Sequence, residues 1–176
     1  MMKYIQTLLI MILMSSPTMA QTQDQDNELR TVPYVNLDRY VGKWYEIASF
    51  PQRFQRGCSC TTAEYAKNSD GTIAVTNTCN KDGGVKVATA KAWVVNKETR
   101  AKLAVQFQWP FRGKYWIIDL DEDYNWAVVS HPNRKYLWIL SRNPTMDAAT
   151  YDGILQRATA QGLDITKLQK TVQCDK

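Results

Sequence analysis

At 176 residues the chain is long enough for one domain with a sizeable core and short for two of ordinary size. Its formal net charge of +5 comes without any dense run of Lys or Arg, which excludes the usual footprint of a nucleic-acid binder and leaves a mild attraction to anionic surfaces. His131 is the only histidine, and no Gly-x-Ser-x-Gly, Ser-x-x-Lys, His-Glu-x-x-His or phosphate-loop signature is present, so the sequence assembles no catalytic set.

Residues 1–20 read as a signal peptide. Lys3 gives a positive start, residues 8–14 form an apolar run too short for a comfortable membrane span, and Ala20 ends the small-residue site a signal peptidase needs. Cleavage after Ala20 leaves 21–34 as a flexible polar leader and 35–176 as the folded domain; a retained anchor is the competing reading. No Cys lies near the cleavage site, so the exported chain is expected to be periplasmic or secreted rather than lipid-anchored.

Asn36 is placed to cap a short helical turn over 37–40. Strand-like segments follow at hairpin spacing: 43–50, 58–66, 72–80, 85–95, 102–108, 115–120, 125–130 and 136–142. Asp70-Gly71 and Asp82-Gly83-Gly84 mark turns, and Leu103, Val105 and Phe107 alternate cleanly with polar neighbours. Pro51 to Arg56 and the aromatic stretch Trp109-Pro110-Phe111-Arg112-Gly113 read as loops. Beyond residue 144 the period becomes helical. Thr145 is the expected cap, Asp147 suits the first turn, Tyr151, Ile154, Leu155 and Ala158 share one face, and Gly162 ends the helix. Eight short strands at this spacing argue a barrel or a sandwich, and a closed sheet with one helix outside is the simplest architecture; the expectation is an all-β fold, an eight-stranded antiparallel up-and-down β-barrel with one C-terminal α-helix packed outside. Closure removes exposed strand edges, and a barrel of this size has room for one small ligand.

Four cysteines in an exported chain suggest two disulfides. Strands flanking the Asp70-Gly71 turn would bring Cys58 roughly opposite Cys79, leaving Cys60 for Cys174. Cys58 and Cys60, two apart on one strand, would share a face, and exchange of their partners stays open. A metal site is disfavoured by the spacing and the single histidine.

Three motifs in order carry a family resemblance. Gly42-Lys43-Trp44 opens the first strand, Glu122-Asp123-Tyr124 forms an acidic-Tyr turn, and Arg142 closes the last strand. With the helix that follows, they resemble the lipocalin family, and within it the bacterial outer-membrane and apolipoprotein D branches, over residues 36–174. The family's usual Thr-Asp-Tyr is altered here, and many bacterial members carry an anchoring Cys that this chain lacks. The resemblance implies that Arg142 stacks on Trp44 at the closed end, with Gly42 and Tyr124 beside them as structural residues. It also supports the Cys60–Cys174 pairing.

With Arg142 turned inward, alternation turns Leu140, Trp138 and Tyr136 inward too, and the inward set continues with Leu103, Val105, Phe107, Tyr115 and Ile117. Positions resembling Tyr65, Asn77, Tyr115, Trp138 and Leu140 contact ligand in apolipoprotein D-like proteins. Aromatic walls with a few hydrogen-bonding groups suit an amphiphile, with the mouth among loops 51–56 and 109–112. These side chains would otherwise simply fill the barrel. The expected function is carriage of a hydrophobic molecule, a fatty acid or lysophospholipid, with no cofactor and with contact to a membrane surface as a further partner. A lipocalin-fold enzyme acting on lipid through an unpaired Cys58 or Cys60, and an interaction module with a filled barrel, are the alternatives. His131 reads as a surface turn residue and the Asp119–Asp123 cluster as a solvated turn.

Overall fold

The computed structural model describes residues 28–174, so the expected signal peptide and cleavage site lie outside the described residues. A short helix α1 (Leu37–Tyr40) leads into β1 (Gly42–Ser49), β2 (Ser59–Lys67), β3 (Ile73–Lys81), β4 (Gly84–Val94), β5 (Lys102–Gln108), β6 (Phe111–Leu120), β7 (Trp126–Ser130) and β8 (Leu137–Ser141). Helix α2 (Ala148–Ala160), a 3₁₀ turn at Ile165–Lys167 and a two-residue strand β9 (Gln169–Lys170) follow. Each of β2 to β8 pairs antiparallel with the next, and β1 pairs with both β8 and β2, which closes the barrel. The short β9 adds to β1 at Ala48 and Ser49, where β1 has left β2 behind.

Alternation sorts β1, β6, β7 and β8 between two cores, while β2 to β5 contribute only to the inner one. Inside the barrel, Trp44, Tyr65, Val75, Ala92, Leu103, Ile117, Val129 and Leu140 pack with Leu37 and Tyr40 of α1. Outside, Ala48, Ile118, Val128, Leu137 and Ile139 pack against Ile154 and Ala158 of α2. Neighbours such as Ile117 and Ile118, or Ile139 and Leu140, thus serve opposite faces of one wall, as a period of two requires. Both are buried, which is why these strands read as continuous apolar runs.

Several boundaries differ from the sequence reading. Residues 28–34, expected within a flexible leader, lie against the barrel. Leu29 is 1% exposed in the outer core, and Val32 N–H donates to Ile117 O at 3.0 Å. A buried leucine and a backbone hydrogen bond fix this segment, which lacks any hydrophobic periodicity to announce it. Asp147, not Thr145, caps α2, its carboxylate accepting from Thr150 N–H. Trp109-Pro110 alone forms the β5–β6 turn, and Phe111-Arg112-Gly113 belongs to β6, because Gly113 lies opposite Val105, where a Cβ would meet Val105 Cγ1 at 3.3 Å.

The disulfides are Cys58–Cys79 and Cys60–Cys174, with Cα separations of 5.5 and 5.1 Å. The two cysteines do not sit as a regular same-face pair. Cys58 precedes β2, the β2–β3 register shifts between Ser59 and Thr62, and Cys60 adopts φ +53°. This bulge directs Cys58 to β3 and Cys60 to the C-terminal tail.

Candidate ligand-binding site

One end of the barrel is sealed. The Arg142 guanidinium lies 3.7 Å over the Trp44 ring and donates to the carbonyls of Arg39, Tyr40, Val41 and Lys43 at 2.7–3.2 Å. A cation here satisfies the carbonyls left unpaired at the C-terminus of α1 while stacking on the indole. Trp44 Nε1–H donates to Tyr40 O at 2.8 Å. Gly42 has φ +96°, and a Cβ there would stand 3.3 Å from Arg142 Nη1, so both backbone and space demand glycine. Tyr124 joins the seal through its hydroxyl, which accepts from Asn36 N–H at 2.8 Å, and its carbonyl, which accepts from Arg142 Nε–H at 3.3 Å.

Above this seal lies a cavity of about 400 Å³, within the range of small-molecule sites. Tyr65, Asn77, Leu103, Val105, Phe107, Tyr115, Tyr136, Trp138 and Leu140 line it. Ile117, expected among them, faces the interior but is fully buried in the core beneath. Register explains the difference: Lys102, the first residue of β5, pairs with Trp116, so Ile117 lies below the span of β5. Phe107 and Tyr136 stand at the rim, half exposed and 37% exposed.

The floor is polar. Tyr115 hydroxyl contacts those of Tyr40 at 2.7 Å and Tyr65 at 2.9 Å. Three hydroxyls bring three protons, and two mutual contacts use two, so one O–H remains to donate elsewhere. Burial raises the pKa values of all three above the ordinary phenol value, Tyr65 to about 12, so the cluster stays protonated at neutral pH. Asn77 lines the same cavity, with Oδ1 buried and without a hydrogen-bond partner.

One wall carries a buried carboxylate that the sequence reading passed over. Glu46 is 5% exposed and accepts from Ser49 Oγ, Gln55 Nε2 and Thr171 Oγ1 at 3.0, 2.7 and 2.6 Å. Gln55 Oε1 in turn accepts from Trp138 Nε1–H at 3.2 Å, which fixes the indole on the cavity wall. The signal was available, since Trp44 inward makes Glu46 inward two residues later. Tyr40 gave no such signal, because α1 precedes the strands and its direction depends on the fold. His131, expected in a surface turn, occupies that turn, but its ring lies at the cavity rim, 5.9 Å from Tyr136. Partial burial lowers its pKa from the usual value. Phe54, Gln55, Phe111 and Arg112, from the two loops expected at the mouth, also line the cavity.

A closed antiparallel barrel of eight strands, sealed below by a Trp–Arg pair and hollow above, is the geometry of a one-mouthed binding barrel. The Lipocalin-like domain model matches residues 35–173, and the chain belongs to the lipocalin family. It is 41% identical over 160 residues to temperature-induced lipocalin-1 of Arabidopsis thaliana, covering 86% of both chains. It is 41% identical over 143 residues to the outer membrane lipoprotein Blc of Vibrio cholerae, covering 80% of this chain and 84% of that one. Apolipoprotein D of Bos taurus is 31% identical over 147 residues, covering 78% and 77%. Among solved structures, insecticyanin from the tobacco hornworm Manduca sexta superposes with a TM-score of 0.70 at 20% identity, over 84% of this chain and 85% of that one. This last likeness concerns the fold.

Proposed function

We propose that the protein is an exported carrier that holds a fatty acid or lysophospholipid in its barrel, for storage or transport of lipid in the cell envelope. The observation that carries this is the cavity itself, hollow where a filled-core interaction module would be packed. An acyl tail buried there would contribute about 0.8 kcal/mol per methylene. A charged head would remain at the mouth, beside Arg112 and Lys114. Membership of a family that includes the outer membrane lipoprotein Blc and apolipoprotein D supports export and a hydrophobic cargo. Lacking a Cys near the expected cleavage site, the chain is proposed to be free rather than lipid-anchored. A thiol-dependent lipid enzyme would need Cys58 or Cys60 free, and both are in disulfides, which favours a binding role.

The test is native mass spectrometry of the purified protein, then extraction under denaturing conditions. A retained lipid of discrete mass, or saturable uptake of added lysophospholipid or fatty acid that Trp138→Ala weakens, is expected. An empty barrel that ignores both lipids would overturn the reading.

A further inference from the structure

The two ends of the barrel differ in charge. β1, β3, β5 and β7 all run from the sealed end to the open one, so the open end is built from residues 50–58, 81–87, 107–114 and 131–136. Each of these four segments contributes two Lys or Arg residues, and the only carboxylate among them is Asp82. At the sealed end acids and bases are interleaved, with ion pairs Arg39–Asp123 and Lys67–Asp38. Formal charge alone therefore gives the molecule a positive pole around the mouth.

Exposed apolar side chains gather at the same pole. Trp109 is 81% exposed, Phe111 74%, Phe54 68%, Val85 64% and Val87 60%, and they come from three separate connections around the opening. A single connection would be ordinary, since scattered exposed hydrophobics need no explanation. Several tips on one rim, each flanked by cations, form a ring of amphipathic anchors.

We propose that the open end is a docking face for a bilayer containing anionic phospholipid. Trp109, Phe54 and the Val85–Val87 tip enter the interfacial region, and the flanking arginines and lysines meet the phosphates. Charge complementarity selects an acidic surface. A feature of the mouth selects lipid over an acidic protein: Phe54 and Phe111 are exposed on the rim and also line the cavity. Docked in this way, they make one continuous apolar path from the acyl region into the barrel. The face is defined by outward side chains and stands whatever the barrel holds.

The test is co-sedimentation of the full chain with vesicles of phosphatidylcholine, alone or mixed with phosphatidylglycerol, at low and high salt. Binding is expected only to the mixed vesicles and should weaken with salt. Trp109→Ser combined with Val85→Ser removes two anchors that do not line the cavity, and should weaken partitioning about tenfold or more. Tyr34→Ser combined with Val95→Ser, at the sealed end, should leave it unchanged. Failure to bind mixed vesicles at low salt would overturn the proposal, as would equal loss from both variants or binding to polyglutamate in place of vesicles. Uptake of a fluorescent fatty acid without vesicles, measured in parallel, separates the two ideas. Uptake without docking removes only the docking face, and docking without uptake removes only the carrier.

Discussion

Tyr115 links the strand pattern to the chemistry of the site. It is on β6 facing inward, and its hydroxyl is the hub between Tyr40 and Tyr65. An acid that the fold keeps protonated binds more protons folded than unfolded once pH exceeds its unfolded pKa. The contribution of these tyrosines is therefore complete below pH 10, the ordinary phenol value, and is lost as pH rises toward about 12, the value reached by Tyr65. Ultraviolet titration of tyrosinate should show the exposed tyrosines ionising first. These three should follow together with the loss of far-ultraviolet circular dichroism. If all tyrosines ionise in one step while the barrel remains folded, the buried cluster does not exist in solution. At this scale Trp138 and Leu140 were legible from the sequence because alternation from Arg142 and the family resemblance agreed on their direction, whereas Tyr65 and Asn77 were legible through the resemblance alone. Glu46 was legible but unread. Ile117 was assigned the right face and the wrong depth, since alternation says which way a side chain points but not how far down the tube it lies.

Elements were read more securely in their centres than at their ends. All eight barrel strands fall within two residues of their expected limits except β6, which begins four residues earlier at Phe111. Trp-Pro followed by an aromatic resembles a loop locally, and only cross-strand pairing with β5 makes those residues a strand. The start of α2 shows the same limit, because Thr145 and Asp147 are both competent caps and packing decides between them. Asp147→Ala removes the carboxylate that receives Thr150 N–H, and should destabilise the protein by ~1 kcal/mol. Urea denaturation should show a lower midpoint with an unchanged slope. Thr145→Ala should be close to neutral; comparable losses from both would return the cap to the sequence-based assignment.

For the molecule as a whole, the helix followed from pattern and barrel closure from pattern together with the family resemblance, whereas the fastening of the tail required the cysteines. Cys60–Cys174 spans 114 residues and ties the end of the chain to β2. Thr171 and Gln173, just before it, hydrogen-bond to Glu46. Replacing both cysteines by serine should cost roughly 2–5 kcal/mol, read as a lower thermal midpoint under non-reducing conditions. It should also loosen the wall that holds Gln55 and Trp138, weakening lipid uptake beyond what the stability loss explains. Unchanged uptake at temperatures where the variant is folded would separate the strap from the site.

The Arg142–Trp44 plug makes the barrel a blind tube. A guest has one doorway, and a newcomer cannot push the resident out through the far side. For the proposed lipid, exchange is therefore expected to be dissociative: departure first, occupation second, with a rate that does not depend on how much competitor waits outside. A container of this kind would keep time by its own off-rate, and anything at the doorway that lowers the barrier to leaving would speed the exchange.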